Sequence, residues 1–198
     1  SRRYQRGGGG RVLQAAPRGL VQFFGKGGGI AEWLWKGERA GLPHEASGQV
    51  DVVIDHPHKT APLRYSLRVT ARDHRLEILN ERLEYEKPSP GKVVPYYFFQ
   101  VENGFGQIKI NPNDVAENEN SMQGPRLTPD VLTPGQSVLH ERREPTLYPE
   151  VSFVGRQLDS IRMYRDWNMG RESAIRKPQR TDDPNDFLEE SFANLAVV

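Results

Sequence analysis

Cysteine is absent from all 198 residues. Its absence removes disulfides, thiolate metal sites and cysteine nucleophiles from consideration, and it fits a reducing compartment, so a cytoplasmic location is expected. Long apolar runs are missing as well. No stretch approaches the roughly 18 residues that a membrane helix needs, and the opening Ser1-Arg2-Arg3-Tyr4 lacks the apolar core of a secretory signal, so membrane insertion is not expected. Neither sign of charge dominates: 27 basic residues face 26 acidic ones, and any contact with nucleic acid must therefore be local rather than driven by the field of the whole chain. Apolar residues make up only 36% and the mean hydropathy is -0.70, which predicts a modest core with long solvated connections.

Several chemistries are missing too. The clusters Gly7–Gly10 and Gly25–Gly29 carry no G-x-x-x-x-G-K-[ST] spacing, so the lysine and hydroxyl that a phosphate loop directs at phosphates and magnesium are not supplied, and both clusters read as linker or helix end. Of the five histidines only His56 and His58 are close in sequence. Pro57 between them favours a solvated turn over a metal pair. No serine sits in a G-x-S-x-G elbow and no acid–base carboxylate pair is identifiable, so no catalytic residue is assigned, no metal ligand is assigned, and no cofactor is expected for this chain alone.

What the chain does contain is strand pattern in its middle and helical pattern towards its ends. Residues 1–10 are expected to be disordered or to be an addition to the natural chain. Val12, Leu13, Ala16, Leu20, Phe23 and Phe24 approximate one helical face over Arg11–Phe24, though Pro17 could instead begin the helix. Leu63–Val69 alternates apolar and polar without exception, as a strand does with one face in a core and the other in water. Val50–Ile54 is expected to pair with it across Asp55–His58, and Leu76–Tyr85 follows as the next strand. In that third run the apolar parity switches between Ile78 and Leu83, which predicts a bulge near Leu79–Glu81. Val93–Val101 and Phe105–Ile110 are expected to form a hairpin across Glu102-Asn103-Gly104. Residues 111–135 read as a surface loop. A helix is expected to start at Thr146 or Pro149, with Leu147, Val151, Val154 and Leu158 at helical spacing; Ile161–Asp166 could extend it, but Ile161–Tyr164 reads better as a buried-edge strand; a further helix is expected over Asp186–Val198 with Leu188, Phe192 and Leu195 on one face. The fold class is therefore α+β, an antiparallel multi-stranded sheet with flanking helices, with residues 11–198 forming one lobe. The non-Met start and the apolar end suggest a piece of a longer protein.

Between Arg142 and Arg180 nine basic residues stand against five acidic ones. Arg142, Arg143, Arg162, Arg165 and Arg171, interleaved with Trp167, are the candidate contacts for DNA or a protein partner; a solvated face with local ion pairs is the plainer reading of the same run.

The run Ser137–Glu150, with the sequence SVLHERREPTLYPE, resembles a segment of bacterial AAA-type ATPases related to RecF and SMC proteins, of the ABC class. The likeness continues in Ile161–Arg171 (IRMYRDWNMGR), in Pro184–Leu188 (PNDFL) and in Leu79–Leu83 (LNERL), and its order extends over roughly residues 11–198. This resemblance implies an ATPase head in which ATP is sandwiched between two protomers, with nucleotide state coupled to DNA or partner engagement. It implies that Walker A precedes Arg11–Phe24 and that the signature and Walker B segments follow the helix begun near Asp186, so that this chain would be an inactive interior lobe. ATP and magnesium are then cofactors of the parent. The implied partners are the remaining head segments, DNA, and a second protomer through a parent homodimer. The glutamine with which ABC-type enzymes sense magnesium and the attacking water is carried over to Gln136 or to the Glu141 position.

Overall fold

The computed structural model describes residues 8–21, 47–59, 61–73, 75–109, 126–127, 132–133, 135–162, 170–171, 173, 176, 186, 188–189 and 194–195. The chain divides into two compact units, Ser1–Asp159 and Ser160–Val198, a boundary that falls inside the span 11–198 read above as one lobe.

In the first unit, helix α1 covers Gly8–Arg18, so the end of the glycine run expected to lack structure is the start of a helix, and the rest of that run lies outside the described residues. Val12, Ala15, Ala16 and Leu20 are buried. Pro17 is inside α1 rather than at its start. It therefore supplies no N–H to the Leu13 carbonyl one turn back, a bond that α1 forgoes near its end. Gly19 follows at φ +104, the left-handed conformation that closes helices, and its N–H reaches the Ala15 carbonyl at 2.9 Å.

Six strands form one antiparallel sheet in sequence order: β1 Ser47–Ile54, β2 Leu63–Arg72, β3 Arg75–Tyr85, β4 Tyr97–Glu102, β5 Phe105–Ile108 and β6 Arg126–Leu127. The alternation seen in the sequence is realised in β2, where Leu63, Tyr65, Leu67 and Val69 are buried. Their partners across the ladders, Leu83, Phe99, Val101 and Ile108, complete one apolar face. The opposite face is polar: Ser66 donates to Asp51 at 2.6 Å and Arg82 pairs with Glu84 at 2.6 Å. The β2–β3 register jumps so that Asn80 faces Arg68 while Ile78 faces Val69, leaving Leu79 as the extra residue at the expected bulge. Its carbonyl is taken by the Asn103 N–H at 2.8 Å. A second irregularity makes Phe98 extra in β4, which lets Phe98 as well as Phe99 turn inward and brings its ring edge-on to Tyr85 and Tyr96 at 5.1 and 5.2 Å.

Three boundaries differ from the sequence reading. β4 starts at Tyr97 rather than Val93; Pro95 has no N–H for a ladder, and Val93 and Val94 are left exposed. β5 stops at Ile108, and the two-residue β6 lies within the stretch read as loop. Two helices follow in the chain, packed against each other and against α1. The short α2, Val138–Glu141, was not expected. The expected α3, Pro149–Asp159, buries Val151, Val154 and Leu158, whereas Leu147 precedes it and is exposed, because Pro149 fixes the helix start two residues later.

In the second unit Ile161 and Arg162 are in no strand, and the rest of that expected strand lies outside the described residues. Leu188, Glu189, Asn194 and Leu195 are not helical. The Asn194 side chain instead accepts the Glu189 N–H at 2.8 Å, a local bond that competes with helix formation, and Leu195 is exposed. Among the described residues no helix is long and apolar enough to cross a membrane.

Candidate functional site

The most constrained polar chemistry lies where β3 meets α2. Glu81 occupies a core-facing position of β3, opposite Leu67 and Val101, and only 1% of it is exposed. Its Oε1 accepts the Ser137 hydroxyl at 2.6 Å and the Tyr65 hydroxyl at 2.9 Å, and its Oε2 accepts the Val138 N–H at 2.9 Å. Ser137 is also the N-cap of α2: its Oγ accepts the Leu139 N–H at 3.0 Å, satisfying a donor that the helix leaves open. One carboxylate therefore fastens the start of α2 to two strands.

Burial pushes the Glu81 carboxyl above its ordinary value, against the opposing pull of the Ser137, Val138, Tyr65 and Leu139 donors. Burial, reinforced by the Glu81 charge, pushes the Tyr65 hydroxyl well up. The Glu81 oxygens and the Tyr65 and Ser137 hydroxyls are engaged with one another and with the Val138 N–H, so this cluster positions chain. What it positions is the segment that follows Leu132. A cavity of about 490 Å³ opens beside it, lined by Ile78, Leu79, Glu81, Val101, Leu132 and Gln136 among others.

Gln136 and Glu141, the two nucleotide-associated positions, flank the cap. The Gln136 amide lies against Gly19, where an added Cβ would come within 3.5 Å of Oε1. That Oε1 is buried and has no hydrogen-bond partner among the described residues. Glu141 Oε1 instead accepts the Thr133 N–H at 2.8 Å, which folds the 133–141 segment onto itself. The same segment holds the end of α1: His140 Nδ1 donates to the Pro17 carbonyl at 2.9 Å, and Arg143 Nη2 donates to the same oxygen. Two cations or dipoles on a carbonyl that α1 cannot satisfy internally form a side-chain cap from outside the helix. Arg18 completes the junction by pairing with Asp159 at 2.6 Å.

The candidate basic residues are divided between the two units, and some lie outside the described residues. Arg142 is half-buried in the first unit, with its Nε buried and unpaired among the described residues, and Arg143 is engaged at Pro17. Arg162, half-buried, and Arg171, exposed, belong to the second unit. Arg165 and Trp167 lie outside the described residues. His56 and His58 sit in the expected turn, with His56 against Phe153 at 4.2 Å, and no group of three or more His, Asp or Glu among the described residues could hold a metal.

Tyr65, Glu81 and Ser137 were not singled out from the sequence. The available signal was a glutamate at a core-facing position of a strand, between Leu79 and Leu83, since an unpaired charge there is costly without donors. No protein-family model, curated protein or solved structure matches this chain.

Proposed function

We propose that this chain is a non-catalytic lobe of a RecF/SMC-like ATP-binding protein whose parent couples ATP binding and hydrolysis to engagement of DNA or a partner. The observation that carries this reading is that Ser137–Glu150, the run bearing the resemblance, is also the run that joins sheet to helices. It supplies the cap on Glu81 and the donors on Pro17. An antiparallel sheet with flanking helices is the architecture expected of such a lobe.

The donor set bears on the cofactors. Gln136 and Glu141 bring one amide oxygen and one carboxylate, and magnesium asks for six oxygens in near-octahedral array. These residues do not by themselves fit magnesium-ATP, and they supply no catalytic step. On this reading the phosphate-binding and remaining metal-binding groups belong to other segments of the head. The alternative, a stand-alone DNA- or protein-interaction module using residues 142–180, gains no support from the described positions of Arg142, Arg143, Arg162 and Arg171.

Calorimetric titration of magnesium-ATP into this chain, with phosphate release followed in parallel, tests the reading. The expected result is neither heat nor phosphate from this chain, and ATP binding by the longer parent. Saturable binding or turnover by the chain alone, or a parent indifferent to ATP, would overturn it.

A further inference from the structure

β1 closes one side of the sheet, and among the described residues no strand pairs with its outer edge. The other end of the sheet is the two-residue β6, too short to template anything. β1 is eight residues long, pairs with β2 without a register shift, and contains neither proline nor lysine. It therefore lacks the bulges, prolines and lysines with which proteins blunt a free edge. Its core-side residues Gly48, Val50, Val52 and Ile54 are only half-buried, while their β2 partners Leu63, Tyr65 and Leu67 are fully buried and Val69 is almost so. The apolar face continues to the edge, where α1 lies near β1 and, among the described residues, covers it only in part.

The sequence of β1 is compatible with itself in one antiparallel register more than in others. Side chains alternate faces, so a copy of β1 keeps apolar opposite apolar only if the two-fold axis passes through a residue rather than between two. An axis at Asp51 sets two carboxylates opposite each other, which is unfavourable. An axis at Val50 sets Val52 against Gly48 and leaves little to pack. An axis at Val52 sets Val52 against Val52, Val50 against Ile54 twice, and Asp51 against Val53 twice. The Asp51 carboxylate accepts from Ser66 and Gln49 but has no cationic partner among the described residues. Val53, beside it on the solvent face, is 47% exposed.

We propose that β1 is a self-docking edge, on which the β1 strand of a second copy of this chain pairs antiparallel about Val52. This goes beyond the nucleotide reading and does not depend on it. One short ladder buries less than the roughly 1,200 Å² at the lower end of stable interfaces, so the association is weak and is to be sought at protein concentrations of about 0.1 mM.

The register gives a test whose sign matters. Val53→Glu puts a carboxylate opposite Asp51 of the other copy at both symmetry-related positions, whereas Val53→Lys puts a cation there. Sedimentation equilibrium of the full chain is expected to show a monomer–dimer equilibrium, weakened about three- to tenfold by Val53→Glu and tightened by a similar factor by Val53→Lys. Within one chain Val53 faces Arg64, so Val53→Glu gains a cross-strand pair in the monomer, and far-UV circular dichroism of each variant checks that the change in dimer is not misfolding. A monomer at every concentration, or equal effects of the two substitutions, overturns the proposal.

Discussion

Removing the Glu81 side chain should be among the most damaging single changes available in the described part of the chain. Glu81→Ala deprives three buried donors of their acceptor: the Tyr65 hydroxyl, the Ser137 hydroxyl and the Val138 N–H. Each orphaned buried donor costs about 1–3 kcal/mol. The neighbouring cavity admits water that can serve some of them, so the expected net loss is about 3–5 kcal/mol rather than the full sum. Measured against a typical total of about 5–15 kcal/mol, that is a large share. Urea unfolding followed by far-UV circular dichroism, with an unchanged slope, would report it as a lowered midpoint. A loss below about 1 kcal/mol would refute the idea that this carboxyl holds α2 to the sheet.

Glu81→Gln separates the hydrogen bonds from the charge. Burial raises the Glu81 carboxyl in the folded chain above 4.5, so the folded state holds that proton more firmly than the unfolded state does. The corresponding stabilisation is fully present below the unfolded value and is lost as pH rises through the raised folded value. Glutamine has no such proton. The stability of Glu81→Gln relative to the wild type should therefore improve as pH climbs from about 4 to about 8. The opposite slope would mean that the three donors outweigh desolvation.

Two further changes test the frame around this hub. Gly106 faces Val101 in the β4–β5 ladder, and a Cβ there would stand 2.0 Å from the Gln100 carbonyl oxygen; Gly106→Ala should cost about 3 kcal/mol and lower Tm by roughly 6–12 °C, and an unchanged Tm would refute the close approach. At the end of α1, His140 and Arg143 share the Pro17 carbonyl, so His140→Ala and Arg143→Ala should each cost under about 1 kcal/mol in urea unfolding, while the double variant should exceed their sum by about 1 kcal/mol. Strict additivity would show that the two side chains do not back each other up.

The sheet was legible because its signal is local. Strict alternation over Leu63–Val69 put the right residues inward, and the parity switch near Leu79 located the bulge, since one extra residue is enough to exchange faces. The positions that failed depend on distant partners or on backbone chemistry. Val93 and Val94 look like strand but precede Pro95, and β6 is two residues whose pairing depends on β5. α2 is four residues long, too short to show a period; it exists because Ser137 caps it and Glu81, 57 positions from Val138 in the chain, accepts its first N–H. Of the site, Gln136 and Glu141 came from resemblance alone. Tyr65 looked like any other core residue of an alternating strand, and nothing local marks a tyrosine whose hydroxyl meets a buried acid.

That a carboxylate fastens α2 to the sheet, where an apolar contact would have served, has a mechanical consequence. Apolar contacts slide, whereas the Glu81 bonds require the Ser137 hydroxyl and the Val138 N–H in fixed directions. Gln136 is the residue immediately before that cap and Gly135, at φ +75, the one before it. Gly135 cannot readily be given a side chain, because a Cβ would stand 2.9 Å from the Leu76 carbonyl oxygen. A displacement of Gln136 must therefore either turn about Gly135 or pull Ser137 from Glu81. On the proposed ATPase reading, a nucleotide acting at Gln136 would be felt first at the β3 bulge, and through His140 and Arg143 at the end of α1. Glu81→Gln offers the way to weaken the first route while leaving the second in place. In the parent it should reduce the coupling between ATP and partner binding without abolishing ATP binding itself.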